Sequence, residues 1–246
     1  MRGPDSMNMT PRQQQIIAAI VEQYAEVAVP VGSVVLAKVF DVSPATIRAE
    51  MSRLEDMGYI KQPHTSAGRI PTDRGYRYYV NEIAQELIQN KLEKPAGLRA
   101  NQVIDRRVEH AGEPEQVIRT AVNSLSEMTR NVGLATMGPT IYTRGLEQLF
   151  AQPEFAEGQG MRAVGYLIDH LDHWLREAAP VEPLSVYIGA ENPIGKSSQC
   201  SLIISRFRSP YSDHSYIGVL GSTRQSYRQV MNLVRHTASS LEEVLS

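Results

Sequence analysis

Within residues 43–53, SPATIRAEMSR, the chain gathers side chains suited to reading base edges in DNA. Arg48 can make a bidentate contact, Ser43, Thr46 and Ser52 carry short hydroxyls, and Ala45 and Ala49 are small enough for close approach. Lys61, His64, Thr65, Ser66 and Arg69 follow in a polar stretch able to lie beside the backbone or in the minor groove. Arg53, Arg74 and Arg77 are of the type that holds phosphates and fixes register without carrying sequence information. Other chemistry is weakly represented. His170 and His173 are spaced for one helix face but lack a matching Cys or Glu-x-x-His partner, so a solvated helix is the better reading and a metal hydrolase the poorer one. Cys200 sits in an apolar run as a small hydrophobe, and Glu191-Asn192 reads as a loop ending a strand, with a pocket-lining role as the lesser alternative. GxxxxGK[ST], GxGxxG and GxSxG are all missing from the sequence. No enzyme activity, metal or cofactor is expected.

The elements that must position these residues are legible on either side. Ser43 can cap a helix that begins at Pro44, where the missing N–H costs nothing. Ile47, Met51 and Leu54 form its apolar stripe, which turns Ala45, Ala49, Ser52 and Asp56 outward and puts Thr46 and Arg48 on the flanks. Gly58 is placed to take the left-handed conformation that ends the helix. Upstream, Thr10, Pro11 and Gln13 resemble a capping box ahead of Ile16, Ile17, Ile20, Val21 and Tyr24 at helical spacing. After the break at Pro30 and Gly32, Ser33 is expected to cap a second helix running through Phe40. Downstream, Tyr59 to Gln62 and Arg69 to Pro71 read as the two arms of a hairpin around a polar turn. Thr72 caps a fourth helix opened by Asp73. The order helix, helix, tight turn, helix, wing predicts a winged helix-turn-helix.

A chain of 246 residues, 42% hydrophobic and 21% charged, can support two modest cores. The expected division is a leader over 1–9, a DNA-binding domain over 10–84, a linker over 85–114 and an α+β domain over 115–246. In the last, strands are expected at 132–137, 184–188, 201–206 and 216–220, and helices at 115–128, 161–179 and 225–245. The net charge of −2 is unlike a nonspecific nucleic-acid coat. Between Gly58 and Val80, however, four cations face only Asp73, a local balance of +3, with Arg48 and Arg53 close by. No apolar run approaches the roughly 18 residues needed to span a bilayer, and no signal-peptide core opens the chain, so no membrane role is expected and the cytoplasm is the expected location.

PVGS at 30–33, SPATIR at 43–48, LEDMGYI at 54–60 and QPHTSAGRIPTDRGYRYYV at 62–80 resemble, in order, the heat-inducible transcription repressor family, HrcA. SLSEMT at 124–129, GLEQLFAQPEF at 145–155, VYIGAENPI at 186–194, CSLI at 200–203 and IGVLGSTRQSY at 217–227 resemble blocks of its C-terminal region. The resemblance implies a homodimeric repressor on an inverted-repeat operator in double-stranded DNA ahead of chaperone genes, kept active by the GroE chaperonin, with a GAF-like C-terminal domain. Three departures accompany it. Ala49 stands where the family usually has Asn, a difference of about 1–3 kcal/mol in base discrimination that bears on the operator sequence. Family members are longer, and the shortfall is expected between Thr129 and Gly145, at the cost of the inserted dimerisation domain and some GAF-like strands. GSTRQ at 221–225 replaces GPTRM. The alternative is a winged-helix regulator of other genes whose C-terminal domain senses a small molecule.

Overall fold

The computed structural model describes residues 9–65, 67–88, 95–155, 158–178, 180, 183–192 and 199–246. The chain divides into two compact units, one formed by residues up to 89 with 224–226, the other by the remainder.

In the first unit, α1 (Pro11–Val27) opens with a reciprocal capping box. Thr10 Oγ1 accepts from the Gln13 amide at 3.3 Å, and Gln13 Oε1 accepts from the Thr10 amide at 3.0 Å. Helix α2 (Ser33–Phe40) is capped by Gly32 rather than Ser33, and without a side-chain bond. Ser33 is already the first helical residue, so its hydroxyl has moved past the capping position. Asp41, left-handed at φ 49°, turns the chain into α3 (Pro44–Asp56). Ile16, Ile17, Ile20, Leu36, Ile47 and Leu54 are completely buried and make the core of these three helices. Strands β1 (Ile60–Lys61) and β2 (Ile70–Pro71) pair antiparallel as a wing, and α4 (Asp73–Ile88) returns along α1. Two glycines permit this packing. A Cβ on Gly68 would lie 2.4 Å from the Val31 carbonyl, where Val31 and Arg69 bridge, and one on Gly75 would lie 2.1 Å from that of Tyr59. Of the expected leader, Met9 is buried against this unit, and 1–8 lie outside the described residues.

The second unit is α+β, with an antiparallel sheet of order β4-β3-β7-β6-β5. Its strands are β3 (Val132–Met137), β4 (Thr140–Arg144), β5 (Leu184–Ile188), β6 (Cys200–Ser209) and β7 (Ser212–Ser222). Helices α6 (Pro114–Thr129) and α9 (Tyr227–Leu245) pack on the sheet, and α5 (Pro95–Glu109) packs on both helices. Short α7 (Leu146–Phe150) leads to α8 (Gly158–Ala178), whose Val164, Leu167, Leu171 and Leu175 share a core with Val132, Leu134, Leu202, Ile204 and Leu220.

Two expectations need correction. The stretch read as a linker, 85–114, contains the end of α4 and all of α5. Pro95 stands at the first position of α5 rather than interrupting it, and Ile104 and Val108, four apart, are completely buried. The stretch between Thr129 and Gly145 holds one strand beyond that expected at 132–137: β4 follows β3 through Gly138 and Pro139 alone, with Gly138 at φ 58°.

Candidate nucleic-acid interface

Helix α3 buries one stripe and offers the rest. Ile47 and Leu54 are completely buried and Met51 nearly so, while Ser43, Ala45, Arg48, Ala49, Ser52 and Arg53 are exposed and Thr46 is half-buried. The N-terminal turn is fixed by Ser43, whose Oγ accepts from the Thr46 amide at 3.1 Å and lies 2.9 Å from Thr46 Oγ1. Ser43 is thus both cap and surface hydroxyl, joined to Thr46 as a small polar ridge. Glu50 sits toward α1, accepting from Gln13 Nε2 at 2.8 Å and from Arg53 Nη1 at 3.1 Å. These bonds orient the flank of α3 from which Arg53 projects, with 64% of its side chain exposed.

The wing is attached to the same helix by one carboxylate. Glu55 Oε1 accepts from the Gln62 amide at 2.9 Å, and Oε2 accepts from Arg69 Nε at 2.9 Å and lies 2.8 Å from Arg69 Nη2. One α3 residue thereby holds the residue after β1 and the residue before β2. Gln62 closes the turn, donating from Nε2 to the carbonyls of Thr65 at 2.9 Å and Ala67 at 3.1 Å. Lys61, His64 and Thr65 stand exposed on this scaffold, and Ser66 lies outside the described residues. At the start of α4, Thr72 Oγ1 accepts from the Gly75 amide at 3.2 Å and donates to the carbonyls of Gly58 at 2.7 Å and Tyr59 at 3.1 Å. Arg74 is exposed, donates from Nη1 to the Met57 carbonyl at 2.8 Å and lies 4.7 Å above the Tyr59 ring centroid. Arg77, three residues further along α4, is half-buried.

The predicted base-reading residues therefore occupy one continuous helix surface next to the wing. Arg69 differs from Lys61, His64 and Thr65 in facing inward, with 21% of its side chain exposed. Sequence reasoning passed over Glu55 and Gln62. Their signal was slight: an acid on the half-turned flank of α3 and an amide at the hinge of the turn, both of types that usually remain solvated.

The other candidates resolve as structure. Asn192 is buried and donates from Nδ2 to the carbonyls of Gly189 at 3.1 Å and Cys200 at 2.8 Å, while Glu191 accepts from the Ile188 amide at 3.1 Å, so this pair ends a strand. His170 stacks on Tyr166 at 4.1 Å between ring centroids, and its Nδ1 lies 2.8 Å from the Tyr166 carbonyl oxygen. Cys200 is buried in the sheet. Among the described residues, no group of three His, Cys, Asp or Glu side chains is arranged to hold a metal, and no helix is long and apolar enough to cross a membrane.

Residues 8–86 match the family model described as the winged helix-turn-helix DNA-binding domain of the transcription repressor HrcA, and residues 72–231 match that of the HrcA C-terminal domain. The chain is 27% identical to a heat-inducible transcription repressor HrcA of Brevibacillus brevis over 335 aligned positions, covering 97% of this chain and 98% of that one. With 246 residues here, that alignment leaves the relative with a considerable stretch that this chain lacks. A repressor of the same name from Halalkalibacterium halodurans is 36% identical over 179 residues, covering 71% of this chain and 50% of that one. The fold is shared with a hypothetical protein whose crystal structure was determined at 2.2 Å resolution, with a TM-score of 0.79 at 20% identity, covering 97% of this chain and 99% of that chain.

Proposed function

This chain belongs to the HrcA family of heat-inducible transcription repressors, and we propose that it represses chaperone genes as a homodimer seated on an inverted-repeat operator. The carrying observation is α3: its apolar stripe is sealed, its N-terminal half is open, and the wing is pinned beside it by Glu55. A helix so exposed fits a major groove. Arg48, Thr46 and Ser43 would hydrogen-bond to base edges, while Ala45, Ala49 and Ser52 let the helix approach. Lys61, His64, Thr65 and Ser66 would follow the adjoining backbone or minor groove, with Arg69 bracing the wing from within. Arg53, Arg74 and Arg77 would hold phosphates. Arg74 can do so while still bonded to Met57, since a guanidinium has five N–H donors.

Repression follows from occupying a promoter and excluding polymerase, a regulatory and non-enzymatic role carried out in the cytoplasm. The family resemblance further favours the GroE chaperonin as the partner that keeps the repressor active. Two copies on one operator compensate for the modest basic surface of one. Selecting bound fragments from the source genome with the purified protein tests this reading. Enrichment of an inverted repeat upstream of chaperone genes is expected. Enrichment only elsewhere would overturn the heat-shock assignment, and no enrichment would overturn specific DNA binding.

A further inference from the structure

A cavity of about 740 Å³ opens in the C-terminal unit where the β3–β4 turn, the β6–β7 hairpin and the end of α8 meet. That volume falls within the range of small-molecule sites. Its wall brings together Arg206, Tyr216, Thr136, Leu175, Pro139 and His214. Arg206 and Tyr216 are directly opposed on β6 and β7, and the Tyr216 amide donates to Thr136 Oγ1 at 2.8 Å, which ties β3 to this part of the wall. Strand alternation sends Ser212, His214 and Tyr216 to the cavity side and Asp213 to the other.

Arg206 is half-buried, and among the described residues no carboxylate forms an ion pair with it. A partly desolvated guanidinium facing a cavity is costly unless an anion completes it, and its planar fork matches a carboxylate. Tyr216 is 4% exposed, and among the described residues its hydroxyl makes only a 3.5 Å contact with the Pro180 carbonyl. Burial pushes its phenol pKa up, against the opposing pull of the Arg206 charge, so the hydroxyl stays protonated near neutrality and able to donate. Leu175, Pro139 and the Tyr216 ring supply apolar wall.

We propose that this cavity binds a small organic monocarboxylate with an aromatic or apolar body, its carboxylate on Arg206 and its body against Leu175, Pro139 and the Tyr216 ring. One permanent cation favours a single negative charge, and the apolar wall favours an organic acid over inorganic phosphate. The site lies wholly in the C-terminal unit and stands whether or not the operator assignment does.

Titration of the isotope-labelled full chain with benzoate, benzamide and inorganic phosphate, followed by NMR of the Leu175 methyl and Arg206 Nε–H signals, tests the proposal. Benzoate should saturate both signals with a Kd of about 0.1–10 mM, the range open to so small a ligand. Benzamide should bind at least about tenfold more weakly, because it carries no charge for the guanidinium. Arg206→Gln should lose benzoate binding by a similar factor, and Arg206→Lys should retain part of it. Should Arg206→Gln fail to fold, the benzoate-to-benzamide ratio on the unsubstituted chain decides. Absence of saturation by benzoate, equal binding of benzamide, phosphate binding in place of benzoate, or unchanged binding by a folded Arg206→Gln chain would each overturn the proposal.

Discussion

Removing Glu55 or Arg69 should loosen the wing far more than removing the comparable pair Glu50 and Arg53. Both pairs bridge at 2.8–3.1 Å, but they differ in environment. Arg53 leaves 64% of its side chain in water, although Glu50 leaves 14%, whereas Arg69 and Glu55 leave 21% and 32%. Exposed pairs couple by about 0.2–1 kcal/mol, with helix neighbours toward the low end. Breaking a fully buried pair costs about 3–5 kcal/mol. The Glu55–Arg69 pair lies between these limits and, after discounting for its residual exposure, should couple by about 1.5 kcal/mol. Glu50–Arg53 should couple by about 0.3–0.5 kcal/mol. Double-mutant cycles of Glu55→Ala with Arg69→Ala, and of Glu50→Ala with Arg53→Ala, measure these terms directly. Hydrogen exchange of amides in residues 44–56 supplies the opening free energy of the N-terminal unit. A Glu55–Arg69 coupling no larger than that of Glu50–Arg53 would refute the claim that one carboxylate secures both arms of the wing.

Other consequences can be measured separately. Gly75→Ala should destabilise the N-terminal unit by about 3 kcal/mol or more, because its Cβ would meet the Tyr59 carbonyl at 2.1 Å, whereas Gly165→Ala on α8, with open space around its Cβ, should stabilise by about 0.5–1 kcal/mol in urea unfolding. Because burial raises the Tyr216 pKa above the unfolded value of about 10, its contribution to stability is complete below that pH and is lost as pH rises through the folded pKa. Tyr216→Phe should therefore flatten the alkaline fall in stability, followed by the fluorescence of Trp174, which packs edge-on to Tyr187 at 4.9 Å between ring centroids. Lys61→Ala should weaken operator and random duplex alike and reduce the slope of log affinity against log salt by about 1, if Lys61 contacts a phosphate.

The N-terminal unit was legible because local and tertiary signals agree there. The capping box at Thr10, the Ser43-Pro44 start and the Ile47, Met51, Leu54 stripe each specify a helix without help from distant residues, and Gly58 takes φ 77° as its place after α3 requires. Ser33 failed as a cap by one position, since Gly32 has an equally suitable extended backbone and no side chain to advertise it. Helix α5 was hidden by Pro95 and Gly97, which read as breakers although proline at a first turn is compatible with helix. Strand β4 escaped notice because its exposure pattern, with partly exposed Ile141, Tyr142 and Thr143, lacks the alternation that marks a half-buried strand. The Glu55 anchor and the Arg206 cavity depend on residues distant in sequence, a relation that helical or strand periodicity does not encode.

Arg48 provides the most direct test of α3 as the base-reading element. Affinities of the unsubstituted and Arg48→Ala chains should be compared on the selected operator and on random duplex at one fixed salt concentration. A bidentate base contact predicts a loss of about 1–3 kcal/mol on the operator with little change on random duplex. An equal loss on both would make Arg48 a phosphate contact, and no loss on either would contradict the placement of α3 in the groove.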